Sequence, residues 1–103
     1  MKFLQFVAMD MAKAGEVAKV SVKVWASPPR GIKPVADYVC LGIAYPGQSA
    51  NTVISVSVVE AESVEALTAT SYPVGLAGAS VWNVPVMEMP VAGAAEVEKK
   101  ARG

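Results

Sequence analysis

Of the side chains that do chemistry in proteins, histidine is absent from all 103 residues of this chain. That removes the commonest general base, the usual zinc ligand and the imidazole partner of a serine or cysteine nucleophile. The carboxylates Asp10, Asp37, Glu60, Glu62, Glu65 and Glu88 show no metal-ligand spacing. Glu62 and Glu65 stand one helical turn apart, which a solvated helix start explains, since acids are favoured there. No Walker or dinucleotide glycine fingerprint is present, and Gly42, Gly47, Gly75 and Gly78 read as turns and close packing. Neither a metal nor a cofactor is expected, and no catalytic residue stands out. What remains is an aromatic and amide set: Trp25, Tyr38, Tyr72, Trp82 and Asn83. Were these to converge between sheet and helices, they would make a small apolar ligand site with Tyr72 or Asn83 fixing orientation. The plainer reading is core packing, because buried Trp and Tyr commonly satisfy their polar atoms locally.

The elements that must position this set begin with Asn51–Glu60, NTVISVSVVE, a β-branched run preceded by a turn signal, PGQSAN. Its alternate residues form two faces, one of Ile54, Val56 and Val58 and one of Val53, Ser55, Ser57 and Val59. A strand apolar on both faces belongs in the middle of a sheet. The serine-bearing face is expected to point away from the helices, with Ser55 and Ser57 in a subunit interface.

Upstream, Phe3, Gln5 and Val7 alternate with Leu4, Phe6 and Ala8, a strand with one wholly apolar face and one carrying a single amide. The same run follows one lysine, as secretion signals do, but Gln5 interrupts it, Asp10 closes it and no small-residue cleavage site follows. Asp10 can cap a helix running to about Ala26, with Ala14, Val17, Ser21, Val24 and Trp25 on one stripe and Glu16, Lys19 and Lys23 opposite. VAKVSVKV also alternates like a strand, so both readings stand, the length favouring helix. Ser27-Pro28-Pro29 stops it. After a proline-rich connection over Pro28–Pro34, Asp37–Tyr45 reads as a second strand, joined to the third by a short Tyr45-Pro46-Gly47 turn as an antiparallel hairpin. Cys40 lies in its apolar run, YVCLGIAY, and reads as a buried, inert thiol; a lone cysteine forms no internal disulfide, which suits a reducing cytoplasm. From Ala61 the pattern turns helical, with Ala61, Val64 and Leu67 as its stripe and Tyr72-Pro73 ending or kinking it. Ser80–Val91 is the last strand, and Pro85 within it marks an edge or a bulge.

The predicted fold class is therefore α+β, in the order β-α-β-β-α-β. Right-handed crossovers make a four-stranded antiparallel sheet with the first and third strands central, and two helices on one face. The domain spans residues 1–92, followed by a charged tail over 93–103. With 53% hydrophobic residues, only 17% charged and nine basic side chains against nine acidic, the chain falls below the roughly 25% charged of an ordinary soluble domain. A covered face is implied, and zero net charge gives no attraction to nucleic acid or to an anionic membrane.

The opening MKFLQFVAM, the Pro28-Pro29-x-Gly31 connection, the VVEAESVEAL step and the closing NVPVMEMPV resemble a family of small uncharacterised ferredoxin-like proteins within the dimeric α/β-barrel superfamily. The resemblance implies that the sheet face free of helices is covered by the same face of a second subunit, closing a barrel. The superfamily includes cofactor-free monooxygenases, haem-degrading enzymes and isomerases as well as members with no known activity. Two functions are expected on this basis: a cytoplasmic, non-enzymatic homodimer that binds a small apolar ligand, or a cofactor-independent oxygenase or isomerase. The missing histidine favours the first.

Overall fold

A computed structural model of the chain describes residues 1–89 and 93–103. Along the chain run β1 (Lys2–Asp10), α1 (Ala14–Ala26), β2 (Ile32–Val39), β3 (Thr52–Ala61), α2 (Val64–Leu76), β4 (Ser80–Pro85) and α3 (Ala94–Arg102). The strands form one antiparallel sheet in the order β2-β3-β1-β4. β1 and β3 thus lie at the centre, where a strand apolar on both faces is needed, and Pro85 falls on an edge strand, where its missing N–H breaks no inner ladder.

The Asp10 carboxylate accepts the Ala12 N–H at 2.9 Å, starting a 3-10 turn at Met11–Lys13 that leads into α1. The helical period prevails over the alternating one because it places Val17 against the sheet with Ala14, Val20 and Trp25 near it, while Glu16, Lys19 and Lys23 stay in water. α2 is capped by Ser63, whose hydroxyl accepts the Ala66 N–H at 3.1 Å. One core cluster joins Val7 and Met9 to Val17 of α1 and Val74 of α2, so both helices share one sheet face. A second joins Val59, Ala61 and Leu67, with Phe3, Trp25 and Ile32 packed on it. The sheet and the α1–α2 pair make two layers, and the molecule measures 45 × 35 × 19 Å.

Several expectations are corrected. The second strand is Ile32–Val39, not Asp37–Tyr45. Its register, from Ile32 opposite Ala61 to Val39 opposite Ser55, is set by β3, and an irregularity between Pro34 and Ala36 accommodates the proline on this outer strand. The apolar run therefore continues beyond the sheet. Cys40 makes a last ladder bond, its N–H donating to the Ile54 carbonyl at 2.9 Å, but the residue is only half-buried and its neighbours Val39 and Leu41 are exposed. The hairpin connection is consequently long. Within it the Tyr45-Pro46-Gly47-Gln48 turn does form, closed by the Gln48 N–H on the Tyr45 carbonyl at 3.2 Å, with Gly47 supplying a φ of 86°.

α2 runs through Pro73 to Leu76 instead of ending there. Proline deprives one upstream carbonyl of its helical donor, but the continuation buries Val74, which carries this end of the helix against β1. Its buried residues are Leu67, Thr70 and Val74; Val64 is exposed and Ala61 belongs to β3. The last strand stops at Pro85, since β1 has begun by Lys2 and offers only its carbonyl to the Val86 N–H at 3.0 Å. The final residues of the expected strand, Pro90 and Val91, lie outside the described residues. Part of the charged tail is helical, α3, in which Arg102 pairs with Glu98 at 2.8 Å.

The largest correction concerns facing. Ser57 pairs with Gln5 and Ser55 with Val7, so the serines lie on the helix side with the core residues Val7, Val53 and Val59. The other parity faces away from the helices, in two rows that cross all four strands. Tyr38, Val56, Phe6 and Trp82 form one; Ala36, Val58, Leu4 and Val84 form the next. Both sheet faces are apolar enough to pack, so alternation alone leaves the choice open. The helices decide it, because α2 brings Thr70 and Ser71 to meet Gln5, which the opposite face could satisfy only with water.

Candidate functional site

Where small serines replace branched side chains on a central strand, the sheet and the helix above it do not close up. Ser55 and Ser57 on β3, with Ser21 and Trp25 on α1, border a cleft of about 270 Å³ between that helix and the sheet. Most of the remaining wall is apolar, including Val7, Met9, Val17, Val53 and Val74. Gln5, the serines and Asp37 are its polar groups, and Asp37 is its one charged residue. A shallower depression continues outward over β2 and again includes Trp25, Asp37 and Ser57. A mostly apolar enclosure with a few convergent polar groups can hold and orient a small molecule.

Two hydrogen-bonded groups make up the polar floor. The Ser57 hydroxyl, on a residue only 5% exposed, donates to Asp37 Oδ1 at 2.8 Å, across the β2–β3 pair in which they stand opposite. Gln5, only 2% exposed, has its amide NH₂ 3.0 Å from Thr70 Oγ1, Ser71 Oγ and Asn83 Oδ1. With two hydrogens it serves two of these three acceptors at a time. Asn83 in turn donates to Ser71 Oγ at 3.0 Å, and the Thr70 and Ser71 hydroxyls donate to the Leu67 carbonyl at 2.7 and 3.1 Å. Gln5 thereby ties β1 to α2 and β4. Replacing it with leucine would strand the Asn83 oxygen, and Gln5→Leu is expected to lower stability by about 2 kcal/mol. Urea unfolding would read this as a lower midpoint with an unchanged slope; an unchanged midpoint would mean that the network contributes nothing net.

The five residues singled out from the sequence do not converge. Trp25 lines the cleft, and Asn83 lies on the same side of the sheet but is engaged by Gln5 and Ser71. Trp82 and Tyr38 occupy the helix-free face, where Trp82 stacks on Phe6 with ring centroids 5.3 Å apart and Tyr38 is largely exposed. Tyr72 is 64% exposed on α2, beside a shallow hollow with Thr68 and Leu76. Aromatic type gave no information on facing. The residues overlooked were Asp37 and Gln5, and the signal for the former was the hairpin register, which sets Asp37 opposite a small hydroxyl. Among the described residues no group of three or more His, Cys, Asp or Glu side chains could hold a metal ion, and no helix is long and apolar enough to cross a membrane.

No protein-family model and no curated protein matches the chain. Among solved structures, it is similar to the crystal structure of a DUF3240 family protein from Shewanella baltica, at 6% identity and a TM-score of 0.48, over 87% of this chain and 94% of that one.

Proposed function

We propose that the chain is a ferredoxin-like subunit of a cytoplasmic homodimer whose two helix-free sheet faces close on each other as a dimeric α/β barrel. In the same reading, its function is to bind a small apolar molecule between α1 and the sheet. Support for the dimer comes from the rows of Tyr38, Val56, Phe6 and Trp82 and of Val58, Leu4 and Val84, an apolar surface on the side of the sheet away from the clusters that α1 and α2 pack against. The single chain also exposes 6935 Å², about 1,400 Å² more than the roughly 5,500 Å² expected of a compact monomer of this mass.

The observation that carries the binding function is the cleft itself, apolar-walled and bordered by serines where a packed core would have larger residues. An oxygenase or isomerase would need a carboxylate or tyrosine aimed into it. Asp37 does line the cleft, but it is exposed to water and no tyrosine joins it. Native mass spectrometry of protein purified without denaturant tests the reading. The expected spectrum is a dimer carrying a dissociable small-molecule adduct, with the adduct lost in Ser21→Phe, which fills the cleft from α1. A bare monomer would overturn both halves of the proposal, and an adduct that survives in Ser21→Phe would move the site elsewhere.

A further inference from the structure

The polar groups of the cleft are not neutral in sum, and among the described residues no basic side chain pairs with their one charge. Among the described residues the ion pairs are Lys2–Glu88, Lys19–Glu16 and Arg102–Glu98, so no basic side chain comes within 4 Å of Asp37. Among the described residues Asp37 accepts one hydrogen bond, from Ser57, which uses a single lone pair on one of its two oxygens. The Trp25 indole lines both cavities that Asp37 lines. A carboxylate with unused acceptor capacity beside an aromatic ring, at the edge of an apolar cleft, complements an ammonium group on an apolar body. The carboxylate takes its N–H bonds, the ring face attracts the cation, and the aliphatic wall covers the rest.

We propose, resting on the reading of this cleft as a binding site, that its ligand class is a small apolar amine bound as its ammonium ion, with Asp37 as counter-ion and Trp25 against the cation. A carboxylate ligand of the same shape is disfavoured by the same charge. At about 270 Å³ the space suits a single ring or a short chain rather than a lipid.

Three probes of one shape separate the charge from the apolar fit: phenethylamine, 2-phenylethanol and phenylacetate, titrated calorimetrically into the purified protein. The amine is expected to bind about fivefold more tightly than the alcohol, a modest factor because Asp37 is exposed to water; phenylacetate is expected to bind more weakly than either. Asp37→Asn keeps an Oδ1 acceptor for Ser57 while removing the charge, so it should weaken the amine more than the alcohol and bring the two affinities together. Equal affinity for amine and alcohol in the unaltered protein, or a preference that survives Asp37→Asn, would overturn the charge assignment while leaving the cleft as a binding site. Failure of all three probes to bind would overturn the cleft reading and this inference with it.

Discussion

Ser57→Glu is expected to unfold the chain rather than alter its assembly. The native hydroxyl is buried beneath the helices and donates to Asp37 at 2.8 Å. A glutamate there places a second carboxylate against the first in a site shaped for a side chain three heavy atoms smaller. An uncompensated buried charge costs roughly 3–5 kcal/mol, a large part of the 5–15 kcal/mol that holds a domain together. Far-UV circular dichroism with a urea titration reads the result; a variant that melts where the parent does would place Ser57 outside the helix-side layer. Lys19→Glu is the control. Lys19 is exposed and its contact to Glu16, at 3.5 Å, is a surface pair, so the change should stay within about half a kcal/mol.

Val56→Glu is expected to do the opposite, leaving the fold intact and separating the proposed dimer into single chains. Val56 lies mid-row on the helix-free face, between Phe6 and Tyr38, and is not part of either core cluster under the helices. In an isologous contact each subunit brings its own copy of the new charge, so two carboxylates are desolvated together. The penalty of several kcal/mol weakens association by at least about a hundredfold. Sedimentation equilibrium should give a single-chain mass while circular dichroism stays that of the parent. A Val56→Glu protein that sediments as a dimer at micromolar concentration would remove this face as the interface.

The pair of variants also marks how much could be read from the residues alone. Strand parity was legible: Ser57 and Val56 were correctly assigned to opposite faces, because the period of two leaves no alternative. Which face meets the helices was not, since both parities of β1 and β3 are mostly apolar and the deciding contact is between Gln5 and residues 65 or more positions later in the chain. Asp10 capping, the stop after Ala26 and the edge position of Pro85 followed from local rules and hold. The limits of β2 did not, because YVCLGIAY is as apolar as a strand while pairing is set by the register of β3. Of the residues lining the cleft, Trp25 was legible and Asp37 was not, for a related reason. Trp25 drew notice by its type, whereas Asp37 and Ser57 acquire meaning only once the hairpin sets them opposite each other.

One consequence of this arrangement is optical. The chain has two tryptophans, and the sheet separates them: Trp25 borders the cleft under α1, and Trp82 lies stacked on Phe6 on the helix-free face. Each is therefore an intrinsic fluorophore with its own assignment, Trp25 to events in the cleft and Trp82 to events on the helix-free face, where the proposed second subunit would dock. In a Trp82→Phe chain the remaining emission belongs to the cleft alone, and in a Trp25→Phe chain to the face where a second copy would dock, so occupancy and assembly can be followed as two separate signals without any added label.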